Sequence, residues 1–140
     1  MDNEERHWTV ARLEQRVAHG ADASQIAEVV ISMWQITGII LNPILGRISV
    51  DSLYQRSLFL TGQVHPWLAN AYGGVQSSTD FARLKSAVMQ QDGADAAAGG
   101  GALLQTFYEM LIRLIGPAVT EKLLRTMWED HLSGQPAQDN

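Results

Sequence analysis

The sequence predicts an all-α protein, a bundle of five to six helices. Apolar residues recur at intervals of three and four along nearly the whole chain, and no stretch keeps the period-two alternation of a half-buried strand. The chain has 140 residues, of which 46% are hydrophobic and 18% charged, so it is long enough for one domain and apolar enough to bury a core. We therefore expect a single helical-bundle domain over residues 1–134 and a disordered tail over residues 135–140.

Glycine, proline and capping residues divide the chain into these helices. The expected helices are residues 4–18, a helix capped by Asp22 or Ser24 that runs to residue 41 before the stop signal Asn42-Pro43, residues 50–64 after a Ser49 cap, a helix capped by Thr79, residues 102–115 and residues 120–132. Residues 92–101, DGADAAAGGG, are expected to be a frayed lead-in, because each of the three glycines costs about 1 kcal/mol in a helix relative to alanine. No internal repeat is evident in the sequence.

The second predicted helix is apolar on most of its circumference. At about 100° per residue, only Glu28, Ser32 and Gln35 form a polar stripe. Such a helix is buried on most sides, either at the centre of the domain or between two subunits. Because Trp8 and Phe59 also lie off the predicted core faces of their own helices, we expect a homodimer.

Charge and composition argue against several function classes. Fifteen Asp and Glu against ten Lys and Arg give a net charge of −5, and no basic stripe is visible, so we predict no nucleic-acid partner. The chain has no cysteine, which fits a reducing, cytoplasmic setting. The most apolar run, residues 26–45, contains five polar side chains and is broken by Pro43, unlike a membrane span of about 20 predominantly apolar residues. We therefore predict no membrane association.

The sequence lacks the spacing that catalysis or metal binding on helices requires. Its histidines, His7, His19, His65 and His131, have no histidine partner three or four residues away. No G-x-S-x-G elbow is present, and the acidic residues fall at helix starts or on polar faces. We predict a non-enzymatic protein with no catalytic residue, no metal and no cofactor.

The stretch LYQRSLFLTGQVHPWL, residues 53–68, contains the best candidates for a partner surface. Most of it is a core-facing helix with a proline stop, but packing alone does not explain Arg56, Phe59, His65 and Trp67. Aromatic residues and arginine commonly anchor protein–protein contacts. We predict that these four residues, together with Trp8, bind a protein partner, and that the chain is a regulatory or adaptor module.

Two alternatives remain open at this point. One is a histidine phosphotransfer module, with His19 or His131 as the phosphorylated residue. The other is a small-ligand sensor with a pocket formed by Tyr54, His65 and Trp67, in which His65 would be the ligand of a haem or another tetrapyrrole.

Two stretches resemble small all-helical bacterial proteins and domains associated with signalling. These proteins pair an L-Y-x-R-S-L helix ending in P-W-L with a later L-I-G-x-x-x-T-x-x-L-L-R-x-x-W helix pair, and residues 49–68 and 103–128 are similar to them over about a third of the chain. The matching positions are Leu53, Tyr54, Arg56, Ser57, Leu58, Pro66, Trp67 and Leu68, then Leu114, Ile115, Gly116, Thr120, Leu123, Leu124, Arg125 and Trp128. The resemblance implies a bacterial, cytoplasmic regulatory protein whose partner is a signalling protein, and it implies no catalytic residue.

Overall fold

The computed structural model describes residues 8–71 and 81–133, and over these ranges it contains helices and no strand. The helices are α1 (Trp8–Ala18), α2 (Ala23–Leu45), α3 (Arg47–Gly62), a 3-10 helix (Pro66–Ala71), α4 (Ala82–Met89), α5 (Gly93–Ile115), α6 (Pro117–Thr120), a π-helical turn (Glu121–Arg125) and α7 (Thr126–Ser133). The all-α class is confirmed. The count over the described ranges is seven α-helices instead of five to six, because the π-helical turn divides the last predicted helix. The predicted tail, the Thr79 cap and residues 4–7 of the first predicted helix lie outside the described residues.

Two long helices, α2 and α5, form the centre of the fold. Each has 23 residues and begins at an aspartate whose carboxylate accepts a hydrogen bond from the main-chain N–H three residues later, at 2.9 Å for Asp22 and 2.8 Å for Asp92. Each ends at a glycine with positive φ, 89° at Gly46 and 91° at Gly116. This backbone conformation is strained for other residues, so glycine makes both sharp turns possible.

The second helix continues past its predicted stop signal. We expected Asn42-Pro43 to end it, but α2 runs to Leu45 with Pro43 inside it. Pro43 cannot donate to the carbonyl one turn earlier, but the helix continues for one short turn, which closes with the bond from the Gly46 N–H to the Asn42 carbonyl at 2.9 Å. As a result α3 begins at Arg47 and not after a Ser49 cap.

The expectation of a frayed lead-in over residues 92–101 is wrong. These residues form the first turns of α5, and Gly99, Gly100 and Gly101 are buried. A Cβ atom on Gly99 would overlap the indole of Trp67, and one on Gly101 would lie 2.7 Å from the Cα of Val10 in α1. The intrinsic helix penalty of these glycines is therefore offset by packing that a larger residue would prevent.

Trp8 is a core residue, contrary to our expectation that it lies off the packed side of α1. It is only 5% exposed. Its ring contacts Tyr108 edge-on at 5.6 Å and Trp128 at 6.3 Å, and the Arg125 guanidinium lies 4.4 Å above it. A helical wheel identifies one buried stripe, whereas α1 packs on both α5 and α7 and so has a broader buried surface.

The apolar α2 is partly buried by other helices of the chain. Among the described residues, α2 is the one helix whose length and apolar composition would allow it to cross a membrane. In this fold α3, α4, α5 and α7 pack on it and eight of its residues are buried. Ile39 and Ile44 remain 72% and 54% exposed. The homodimer, the absence of a membrane partner and the cytoplasmic location stay predictions.

Candidate ligand-binding groove

A cavity of about 250 Å³ lies between α2 and α3, next to the residue that precedes α4. We call it groove 1. Its lining residues are Trp34, Gln35, Thr37, Gly38, Ile39 and Asn42 of α2, Val50, Asp51 and Tyr54 of α3, and Phe81. Most of this surface is apolar and the cavity is open to solvent on one side, which is the usual character of a small-molecule site.

Three aromatic rings hold one another in place along the wall of groove 1. Tyr54 contacts Trp34 edge-on at 4.9 Å and Phe81 edge-on at 5.4 Å, while Trp34 and Phe81 are stacked at 6.4 Å. Trp34 also meets Phe107 of α5 edge-on at 4.9 Å. Edge-to-face and offset geometries are the favoured ones for aromatic pairs. The wall is therefore formed before any ligand arrives.

Gly38 leaves groove 1 open. A Cβ atom added there would have Asn42 Nδ2 at 3.9 Å as its nearest neighbour, which is an ordinary van der Waals distance. Position 38 thus differs from positions 99 and 101, where close packing requires a glycine. A glycine inside a helix costs about 1 kcal/mol relative to alanine, and at position 38 the packing offers no compensation.

Two polar atoms of groove 1 residues lack a hydrogen-bond partner among the described residues. They are the Nε1–H of Trp34 and the Oδ1 of Asn42, and both are buried. An unpaired buried donor or acceptor costs about 1–3 kcal/mol, and native proteins retain few of them. Both residues line the cavity but neither atom is itself exposed to it, so these atoms would pair with a polar group of a ligand through a local shift of Trp34 or Asn42.

Tyr54 is neutral in the folded protein, because burial raises the pKa of its phenol above its ordinary value of 10.0. The same phenol in the unfolded chain ionises near pH 10, so above that pH the unfolded state loses a proton that the folded state keeps. We expect this contribution to stability to be complete below about pH 10 and then to fall by about 1.4 kcal/mol per pH unit until the folded pKa is reached. Urea denaturation at about pH 8 and about pH 11 measures the fall.

The matched variant for this pH effect is Tyr54→Phe, which keeps the ring and removes the proton. We expect its stability to fall less between the two pH values than that of the wild type. Burial also raises the pKa of Tyr108, partly offset by the adjacent Arg125, so some alkaline loss remains in the variant. Equal losses in both proteins would contradict the burial of the Tyr54 hydroxyl.

Tyr54, His65 and Trp67 lie in different segments of the fold. Tyr54 is in the middle of α3, whereas His65 follows the end of that helix and Trp67 belongs to the 3-10 helix. Groove 1 is lined by Tyr54 but by neither of the others. The ring of Trp67 instead covers Gly99 of α5.

The other candidate residues are placed as follows. Arg56 and Phe59 lie one turn apart on the solvent-exposed side of α3, with Phe59 59% exposed, and their role in partner binding stays a prediction. His65 is half-buried beyond the end of α3. His19 and His131 place Nδ1 at 2.8 Å and 3.0 Å from main-chain carbonyls one turn earlier. Whether either histidine is phosphorylated stays open.

Sequence reasoning found Tyr54 but missed the rest of groove 1. Asn42 was expected only to help end the second helix. The signal that could have found the site is Gly38, an isolated glycine in the middle of an otherwise apolar helix, for which a packing or functional reason is expected. No known protein family, characterised protein or solved structure matches the chain.

Proposed function

We propose that the protein is a non-enzymatic sensor module that binds a small, mainly apolar molecule in groove 1. The observation that supports this most is an apolar cavity kept open by a glycine that packing does not require. A dry apolar cavity of about 150 Å³ is enough to hold benzene, so a cavity of about 250 Å³ has room for a ring with a substituent. Among the described residues, the groove lining contains no histidine, lysine or serine, which favours binding over a reaction.

Binding in groove 1 would be felt by the fold, because the cavity is shared by α2, α3 and Phe81. A ligand that binds only the folded state raises the free energy of unfolding. The increase grows with the logarithm of the ratio of the ligand concentration to the dissociation constant, once that ratio is well above one. The position of α3 and of the segment leading to α4 would then depend on occupancy. This is a plausible physical basis for a regulatory output.

The binding test uses two small probes of similar size, p-cresol and cyclohexanol, followed through methyl NMR signals. We expect at least one probe to shift the methyl signals of Ile39 and Val50, which line groove 1, in a saturable way. Ile48 and Val64, which are 83% and 74% exposed and lie outside the groove, serve as controls. The proposal fails if neither probe shifts Ile39 and Val50 at about 10 mM, a concentration that would reveal a binding free energy of only about −3 kcal/mol.

A second candidate function, contact with a protein partner or a second copy of the chain, is favoured by the exposed apolar residues of α3. Phe59 and Leu60 of α3 are 59% and 38% exposed, Val64 just beyond the end of α3 is 74% exposed, and Arg56 precedes Phe59 by one turn of the helix. Clustered apolar exposure of this kind is common at interfaces. Native mass spectrometry of wild type and Phe59→Ala tests the homodimer: we expect a dimer that the substitution weakens, and a monomeric wild type would contradict it.

A further inference from the structure

The two central helices and the helices that follow them have corresponding positions 70 residues apart. Asp22 and Asp92 cap α2 and α5, and Gly46 and Gly116 end them with nearly the same φ and ψ, 89° and 147° against 91° and 156°. Thirteen positions of α2 and α3 are buried. Seventy residues later, ten of the thirteen are buried again and three are half-buried.

The helices that precede α2 and α5 correspond as well, with a spacing of 71. ARLEQRVA, residues 11–18 in α1, aligns with ARLKSAVM, residues 82–89 forming α4, and four of the eight residues are identical. The turn after α4 is one residue shorter than the turn after α1, which accounts for the change of spacing from 71 to 70. Within the longer helices the chemistry has diverged, so the correspondence is not evident from residue identities alone.

Helices α1 to α3 form the first half of this arrangement, and α4 to α7 form the second half. The first helix of each half packs on the long helix of the other half. Helix α1 lies mainly against α5 and makes little contact with α2, while α4 lies against α2 and the 3-10 helix and makes little contact with α5. Each half therefore supplies the helix that packs on the long helix of the other half. The same arrangement in both directions supports a duplication of one three-helix unit.

Each half also carries a groove in the same place. A second depression, groove 2, is lined by residues that include Gln105, Tyr108, Glu109, Ile112 and Glu121. These five lie 70 residues after five lining residues of groove 1. Groove 1 has an aromatic residue from the start of the second half, and groove 2 has Trp8 from the start of the first.

The two grooves differ most at one pair of positions, Gly38 and Tyr108. Tyr108 is 3% exposed, and its phenol ring packs against Trp8 at 5.6 Å and Trp128 at 5.5 Å. Groove 2 has a larger volume, about 330 Å³, but it is more open and its lining includes two glutamates and two arginines. It is a charged surface depression with a phenol in its wall, whereas groove 1 has an apolar space in the corresponding position.

We propose that groove 1 binds a phenol-sized aromatic ring with one hydrogen-bonding group, in the place that the Tyr108 side chain takes in the second half. This inference rests on the proposed ligand-binding function and adds the chemical class of the ligand and the residue that admits it. The rings of Trp34, Tyr54 and Phe81 supply aromatic contacts. Gly38 is the residue that determines specificity, because a side chain as large as that of tyrosine at this position would occupy the space of the ligand.

The test compares wild type, Gly38→Ala and Gly38→Tyr with the same two probes. p-Cresol is the tyrosine side chain as a free molecule, and cyclohexanol is a ring of similar size without aromaticity. We expect wild type to bind p-cresol at least tenfold more tightly than cyclohexanol, Gly38→Ala to retain p-cresol binding within a few-fold, and Gly38→Tyr to lose it. Circular dichroism and the unchanged Ile48 and Val64 methyl signals establish that each variant is folded.

The outcomes separate this inference from the proposed function. If cyclohexanol binds groove 1 as tightly as p-cresol, or if a folded Gly38→Tyr still binds p-cresol, the phenol inference is wrong while the ligand-binding function stands. If neither probe binds the wild type, both fail. Preferential p-cresol binding that only the tyrosine variant loses supports both.

Discussion

Replacing Gly101 with alanine is expected to destabilise the protein by about 1–3 kcal/mol, the usual cost of forcing an extra group into a packed core. The new Cβ atom would lie 2.7 Å from Val10 Cα and 3.0 Å from Val10 N. These are main-chain atoms, so no side-chain rotation relieves the overlap and α1 must move away from α5. That movement would also strain the 2.9 Å hydrogen bond from Thr9 Oγ1 to the Gly101 carbonyl. Urea denaturation of the variant measures the change in the free energy of unfolding.

The matched control is Gly38→Ala, the same substitution in the other long helix. There the new Cβ has its nearest neighbour at 3.9 Å, so only the helix preference of alanine acts and we expect a gain of about 0.5–1 kcal/mol. Opposite signs for the two variants would show that packing decides the effect at Gly101. A gain at both positions would contradict the close contact between α1 and α5.

The same glycines show why the sequence predicted the fold class but not all of its elements. Helical spacing of apolar residues is a local property, and it correctly indicated an all-α protein. Helix propensity is also local, and it favoured fraying at residues 99–101. The contacts that reverse this preference come from Val10, Val30 and Trp67, which are distant in sequence. Only the tertiary arrangement brings them together.

The candidate site was harder to predict for the same reason. Tyr54 is close in sequence to His65 and Trp67, and that closeness suggested a pocket, but of the three only Tyr54 lines groove 1. Its actual neighbours, Trp34 and Phe81, belong to two other segments of the chain. The correspondence of Gly38 with Tyr108 could be seen only after the ends of α2 and α5 had been located.

The second large effect is expected at Trp128, the largest of the fully buried side chains. Trp128→Ala removes its ring contacts with Trp8 and Tyr108 and leaves a cavity between α1, α5 and α7. Replacing a buried aromatic residue with alanine costs about 3–5 kcal/mol, a large part of the stability of a domain of this size. We expect the urea midpoint to fall accordingly or the variant to be unfolded, and a change below about 1 kcal/mol would contradict the burial of this ring.

The polar part of the Trp128 effect can be separated with conservative variants. The indole Nε1–H donates to Thr37 Oγ1 at 2.9 Å, and that hydroxyl donates to the Met33 carbonyl at 2.6 Å. In a double-mutant cycle, Trp128→Phe and Thr37→Val each break this bond, so their effects are expected to fall short of additivity by about 0.5–1.5 kcal/mol. Thr37 also lines groove 1, so the bond fixes part of the groove wall from behind. If the hydrogen bond positions that wall, Trp128→Phe also weakens p-cresol binding, although the Trp128 ring lies outside the groove lining. Full additivity of the two substitutions with unchanged p-cresol binding would show that the bond contributes neither to stability nor to the shape of the site.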